Sequence, residues 1–530
     1  MTQSNDGTRL PRAEGAPLIS QAELRFERRR RLAGLVGAPL AFVLLYLGTE
    51  GRLEPEGQRL AAVVGAVVTL WVTETLPLPA TALLGAVLCI LLGVAPARQV
   101  LGYFADPIVF LFIGSFMLAR AMTVHRLDRR IALSVLSIDW LSASPARLLA
   151  GVGLVTALIS MWVSNTATTA MMLPIALGVL GALHRTRVHA GDASGPPDAR
   201  TWPFATGMML MVAYSASVGG IGTPVGSPPN LIGLGLIRTG TGVDIGFFTW
   251  MTVAVPMLTA MGAALFLLMI WLHPSSPAVV TPTAATSSDL RAYLQVERAQ
   301  LGRWTRGEMN TLVAFGLAVT LWTLPGTLAA LGQGESAFAT WMETRLPEPV
   351  VALLAALLLF VLPVRLRAAE FTLTWEDAVR IDWGTILLFG GGLALGTLMF
   401  ETGVASAMGA ALTSQFGVSS MWGLTFAATA LAIVLSEATS NTAAANMVIP
   451  VVIAVAQATG VNPVPPALGA CLGASFGFML PVSTPPNAIV YGSGLVPIPK
   501  MMRAGVLFDV LGLVIIWVGL RVLCPLLGLA

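Results

Sequence analysis

Charge is what this sequence has least of. Only 11% of its 530 residues are Asp, Glu, Lys or Arg, while 55% are hydrophobic, with a mean hydropathy of +0.79. Soluble domains carry about 25% charged residues, so this composition excludes one and specifies an integral membrane protein. The apolar runs are long and do not alternate, which favours helices over a barrel. Histidine and cysteine are nearly as scarce. The four histidines sit beside loops rather than on one helix face, which argues against a transition-metal site. Cys89, Cys471 and Cys524 lie in apolar segments with no paired spacing, so they read as inert core thiols. A formal charge of +3 is too small to call for a nucleic-acid partner. No cleavable signal is evident, because residues 1–24 are polar and a run of arginines precedes the first apolar stretch.

The most telling absence is local. From Ile381 to Pro499 there is no Lys, Arg or His, and none between Arg147 and His184 or between Pro203 and Ile237. Those stretches without basic residues hold the repeated motifs. Ser164-Asn165-Thr166 and Ser440-Asn441-Thr442 each lie between two apolar arms, and each is followed by a break, Ser227-Pro228-Pro229-Asn230 or Thr484-Pro485-Pro486-Asn487. Ser440 minus Ser164 is 276, and Gly390 minus Gly114 is also 276. The offset falls to 257 between Ser227 and Thr484, because the first half has a longer polar loop around 184–202. One site built by internal duplication follows.

The charge pattern sets a topology. Arg25 and Arg28 to Arg31 hold a tail, residues 1–32, in the cytoplasm before a first span within 33–58. A first repeat, 59–273, contains spans near 59–76, 80–95, 106–124 and 248–272, a hairpin at 145–183 and a broken helix at 203–238. His125 to Arg130 reads as a basic cytoplasmic stretch. A polar linker, 274–308, ends in an amphipathic helix. The second repeat, 309–530, contains spans near 309–330, 348–364, 384–402 and 504–524, a hairpin at 421–458 and a broken helix at 465–497. The total is eleven spans and two re-entrant hairpins, with the C-terminus outside. An odd number of spans per half makes the repeats inverted, the layout of many secondary transporters.

The chemistry follows from the residue types. Ser, Asn and Thr cap helices, and a hairpin tip aims the free N–H groups of the next helix at mid-membrane, where hydroxyls, amides and N–H groups suit a carboxylate or another oxyanion. Plain capping without a ligand is the bland alternative, less apt for two matched copies. Unwound carbonyls at the breaks favour small cations, against a mere proline kink. Asn230 and Asn487 are expected to cap the second half-helices and to stitch each loop to its hairpin. A dianion held here has no basic side chain to balance it, and two helix N-termini supply only about half a charge each. Bound sodium ions are the remaining counter-charge. Glu437, three residues before Ser440, reads equally as a proton or cation ligand or as a group satisfied by helix ends. Glu401 and Asp382 read as interfacial.

These doubled motifs resemble the divalent anion/sodium symporter family of di- and tricarboxylate transporters across roughly 33–525. The resemblance implies an all-α polytopic fold, a homodimer, and a scaffold domain beside a transport domain that moves as an elevator. It implies substrate contacts from Ser164, Asn165, Thr166, Ser440, Asn441, Thr442, Thr484 and Pro485. One sodium site would use Ser160, Ser164, Asn165 and Gly226, and a second Ser436, Thr439, Asn441 and Ser483. Ser436, Thr439 and Ser483 stand where Thr, Ala and Ala are expected in that family, which leaves the second site's stoichiometry open. The reading is an importer of C4-dicarboxylates in the inner membrane, coupled to sodium and needing no organic cofactor. Carriers of sulfate or citrate, a sodium-independent exchanger, and an anion channel are the alternatives. No nucleophile–base pair or His–acid pair supports an enzyme.

Overall fold

A computed structural model describes residues 21–142, 144–189, 202–275, 284–416 and 420–530. The first 20 residues of the tail, most of the 184–202 loop and residues 276–283 of the linker lie outside these. The chain is helical almost throughout, with one two-stranded antiparallel ribbon, Pro363–Arg365 with Glu370–Phe371. Among the described residues, nine helices are long and apolar enough to cross a membrane, or up to ten if a bent pair counts as one. The protein is a polytopic, all-helical membrane protein.

Length and hydropathy alone do not separate spans from hairpin arms. Three of the nine long helices, Asn165–Arg185, Met421–Ala438 and Asn441–Ala458, flank the Ser-Asn-Thr turns. The regions read as spans at 59–76 and 80–95 are the helices Pro55–Thr73 and Leu78–Leu91.

Both hairpins form for the same reason. Ser144 and Ser420 cap the first arms, Pro145–Ser160 and Met421–Ala438, by accepting from Arg147 N and Gly423 N. The turn follows, and the second arms, Asn165–His189 and Asn441–Ala458, start at the asparagines. Each second arm carries an internal proline, Pro174 or Pro450, again 276 apart. The breaks fall between Pro203–Gly220 and Pro228–Thr241, and between Val464–Gly473 and Pro485–Tyr491. Two prolines open each later segment, because N1 and N2 need no intrahelical donor.

Some boundaries differ from the sequence reading. The N-terminal helix, Gln21–Gly48, already contains the arginine run read as tail. The first hairpin's second arm continues to His189 rather than 183, so part of the polar loop is helical. The stretch read only as basic and cytoplasmic after Val124 enters the helix Leu127–Leu136, with Leu127, Leu133 and Leu136 buried. Its counterpart in the second half, Val404–Phe416, was equally unforeseen. The first carries a charged face and the second is apolar but too short to cross a membrane, so neither has the signature of a span.

The halves lock into one another. Gly114, on the helix Pro107–Val124, lies so close to Ala352 that a Cβ would stand 2.6 Å from its backbone carbon. Gly391, on Trp383–Glu401, meets Ala82 with the same 2.6 Å approach. Each half therefore packs its motif helix against an apolar helix of the other. The linker helix, Ala284–Gln300, packs on two helices of the first half, Asn165–His189 and Leu127–Leu136. Arg130 bridges Glu308 at 2.6 Å and donates to the carbonyls of Leu301, Gly302 and Arg303. Arg130 and Glu308 are both nearly fully buried, so removing either costs about 3–5 kcal/mol.

Candidate functional site

The two Ser-Asn-Thr turns and the two Pro-Pro breaks meet at a single cavity of about 610 Å³. Its lining includes all eight residues expected to touch substrate: Ser164, Asn165, Thr166, Ser440, Asn441, Thr442, Thr484 and Pro485. Gly226 and Ser483 line it as well. Ser160, Ser436 and Thr439 do not reach the lining; they stand one layer behind it.

The halves share a bonding skeleton. Ser160 Oγ donates to Asn165 Oδ1 at 2.8 Å, and Ser436 Oγ to Asn441 Oδ1 at 2.8 Å. With Oδ1 held behind, the Nδ2 donors of both asparagines are unengaged by these serines. Ser164 and Ser440 cap the second arms, accepting from Ala167 N at 3.3 Å and Ala443 N at 3.2 Å. Capping is therefore part of what these serines do. Asn165 packs over Gly220 and Asn441 over Gly477, the equivalent positions on the two broken helices.

Asn230 and Asn487 act differently from the expectation. Asn230 Nδ2 donates to Gly220 O at 2.8 Å and Thr223 O at 2.7 Å; Asn487 Nδ2 donates to Gly477 O at 2.9 Å and Leu480 O at 3.0 Å. Both side chains are fully buried and satisfy carbonyls that the break has freed. They hold each unwound loop to its own helix rather than to the hairpin.

The halves differ where turn meets loop. In the first, Thr223 Oγ1 donates to Met161 O, and Gly226 is wedged so that a Cβ would lie 2.7 Å from both Gly220 O and Met161 O. In the second, the residue equivalent to Met161 is Glu437. Its carboxylate accepts from Phe478 N, from Met479 N at 2.8 Å and from Ser483 Oγ at 2.7 Å. Thr439 donates to Leu435 O at 2.8 Å and is buried.

The expectation of a chamber without basic groups needs correcting. Arg120 and Arg380 both line the cavity, together with Asp382. Arg120 comes from Pro107–Val124, and Arg380 stands one residue before the run without basic residues, so neither lay inside a motif window. Both turn toward one acid: Arg120 lies 3.2 Å and Arg380 3.9 Å from Asp377 Oδ1. Asp382, read as interfacial, also caps Trp383–Glu401 through Thr385 N at 3.1 Å. These two arginines and two aspartates sum to zero charge. Cations are thus present at the lining, but no net positive charge is set against a dianion. Glu401, by contrast, accepts from Gln99 at 2.7 Å and Tyr103 at 3.1 Å, near the end of its helix.

Four helical segments begin at this cavity: at Asn165, Pro228, Asn441 and the short Pro485 segment. Their N-terminal ends carry partial positive charge. The sequence reading counted two of these ends and missed those after the breaks. Trp162, Phe116, Ser217 and Thr385 complete one side of the lining and carried no repeat signal.

A family model for the sodium:sulfate symporter transmembrane region matches residues 32–529. The chain belongs to that family. It is a transporter rather than an enzyme. A sodium-dependent dicarboxylate transporter, SdcS, of Staphylococcus saprophyticus is 32% identical over 498 residues, 93% of this chain and 92% of that one. SdcS of Staphylococcus aureus is 31% identical over 488 residues, covering 92% and 90%. The crystal structure of the Alcanivorax borkumensis YdaH transporter aligns with a TM-score of 0.51 at 12% identity, covering 81% of this chain and 88% of that one. That likeness concerns the fold alone.

Proposed function

We propose that this symporter-family chain imports C4-dicarboxylates such as succinate, fumarate or malate, coupled to sodium, across a bacterial inner membrane. The carrying observation is the convergence of both Ser-Asn-Thr turns and both Pro-Pro breaks on one cavity. Each half supplies one helix start from its turn and one from its break. A dicarboxylate has two like ends, and a site made of two like halves can hold one end in each. Ser164, Asn165 and Thr166 take one carboxylate; Ser440, Asn441, Thr442, Thr484 and Pro485 take the other.

Sodium supplies the remaining counter-charge. One ion sits among Ser160, Ser164, Asn165 and Gly226, the other among Ser436, Thr439, Asn441 and Ser483. Hydroxyl, amide and carbonyl oxygens without a carboxylate cage suit a monovalent ion. The relatives' description as sodium-dependent dicarboxylate transporters supports the same reading. The hairpins and broken helices travel together as a transport domain in an elevator movement, against a scaffold that forms a homodimer. The N-terminus faces the cytoplasm and the C-terminus the outside.

Sulfate and citrate remain the rival substrates, since the helix starts recognise oxyanions but do not measure the distance between them. Purified protein in liposomes should accumulate radiolabelled succinate against its gradient with sodium outside, and fail to do so with potassium or choline. Unlabelled succinate should compete better than citrate or sulfate. Competition by sulfate alone would overturn the dicarboxylate assignment. Accumulation without sodium would establish an exchanger, and flux without accumulation a channel.

A further inference from the structure

Behind the second hairpin lies an acidic pair that the substrate and the two sodium sites leave unused. Asp509 projects from the long last helix, Ile498–Leu526, and is 6% exposed. Apart from the Glu437 carboxyl, which stands within hydrogen-bonding reach, no group among the described residues donates to either of its oxygens. The charged group that acts on it is Glu437, of the same sign. Their juxtaposition is enforced by packing. Phe508 lies 4.9 Å from the Phe478 ring, and Gly505 is pressed against Phe478 O and Met479 Cα, the loop whose amides hold Glu437.

Other oxygens gather around the pair. The buried Tyr214 hydroxyl donates to Phe478 O at 2.7 Å, on the loop that holds Glu437, and to Met501 O at 3.2 Å. Ser483 Oγ donates to the far oxygen of Glu437. Two neighbouring carboxylates in a low-dielectric interior repel each other and are poorly solvated, so the arrangement calls for a positive charge between them. The ligand atoms on offer are all hard oxygens, without nitrogen or sulfur, which suits an alkali or alkaline-earth ion over a transition metal.

We infer that Asp509 and Glu437 bind a further sodium ion, carried with the substrate in addition to those at the two turns. This rests on the sodium-coupled reading above. The ion has a place in the mechanism because Glu437 clasps the loop 477–483, whose end forms the cavity lining. Filling the acidic pocket draws the last helix, the loop and the second hairpin together, so that occupancy there and closure of the substrate site favour one another. A dianion with two sodium ions is neutral. With a third it carries net positive charge inward, and an inside-negative potential drives uptake.

The test is succinate uptake into proteoliposomes in sodium medium, with and without a potassium–valinomycin potential, alongside dual-label counting of sodium per succinate. Wild type should accumulate several-fold more succinate under an inside-negative potential. Asp509→Asn should keep sodium-dependent uptake, lose that response and carry one sodium fewer per succinate. Asp509→Glu, which restores the charge, should restore both. Where Asp509→Asn folds but does not transport, radiosodium binding to the detergent-purified protein should fall by one site. Where it does not fold, wild type and Asp509→Glu decide the matter through the sodium count and potential response. Wild-type uptake indifferent to potential would overturn the inference, as would an unchanged ratio or an unchanged number of bound sodium ions in Asp509→Asn. Inward proton flux that accompanies succinate and vanishes in Asp509→Asn would also overturn it, by assigning the charge to a proton. Absence of any sodium dependence in wild type is a separate failure, of the proposed function itself.

Discussion

The two halves of this chain solve one problem twice, and they diverge at one place. Both lay a serine hydroxyl on an asparagine carbonyl, both stitch an open break with a buried asparagine amide, and both start helices at the shared cavity. They diverge in what joins turn to break. The first half uses a neutral hydroxyl–carbonyl bond and a glycine wedged between two carbonyls. The second uses a carboxylate that gathers two amides and a hydroxyl. Duplication therefore preserved the parts that face substrate and the parts that repair the backbone. The brace between them was free to change, because a neutral contact and a charged one can close the same gap. The first brace depends on shape, and the second on a carboxylate that gathers donors.

The largest effect should come from the conserved skeleton. Asn165→Ala and Asn441→Ala each remove a cavity-facing amide; the first also strands the buried Ser160 hydroxyl, whereas Ser436 keeps its bond to Ala474 O at 2.8 Å. Each lost polar contact of this kind costs about 1–3 kcal/mol, or roughly 10–100-fold in apparent affinity. Uptake at fixed sodium should fall by at least that factor in both variants, while the purified proteins keep the elution profile of wild type. A loss confined to one variant would break the equivalence of the halves.

The stitches come next. Asn230→Ala and Asn487→Ala each leave one buried carbonyl, Gly220 O or Gly477 O, without a donor, at about 1–3 kcal/mol, while Thr223 O and Leu480 O keep the amides of Gly226 and Ser483. Both should lower the thermal midpoint of the purified protein, by similar amounts, with smaller effects on substrate selectivity. A shift in one variant alone would mean that only one break depends on its asparagine.

How much of this was legible beforehand depends on how far each signal travels along the chain. The turns, the breaks and the duplication are local strings whose meaning is set by hydrogen-bonding chemistry, so Asn165, Asn441 and the Pro-Pro pairs could be read directly. Arg120 and Arg380 could not. They reach the cavity only because a helix of one half packs across the other, a contact that no sequence window contains. Asp509 was hidden for a related reason: it is one acid in a 29-residue apolar helix, more than 70 positions from Glu437, and only tertiary packing pairs them. The helix Leu127–Leu136 was missed because its arginines marked only a cytoplasmic stretch, although Arg130 is held by Glu308 from within it.

The smallest effect should sharpen the comparison most. Thr223→Val deletes the neutral brace of the first half and keeps the side chain's shape, so it forfeits one hydroxyl bond, about 1 kcal/mol. Ser483→Ala deletes one of three donors to Glu437. A hydrogen bond to a charged group is worth about 1.5–3 kcal/mol, but the two amides from Phe478 and Met479 remain and keep the carboxylate in place. The net loss should therefore sit near the lower end of that range and be close to that of Thr223→Val. Measured as the sodium concentration for half-maximal uptake, each should rise by about five- to tenfold, with little change in the succinate requirement at saturating sodium. The double variant then separates two cases. If the braces act independently, the two free energies add, and the half-saturating sodium rises by the product of the single factors. If one brace closes both turns, the double variant should be no worse than the poorer single, and the halves would be a single cooperative clasp rather than two separate ones.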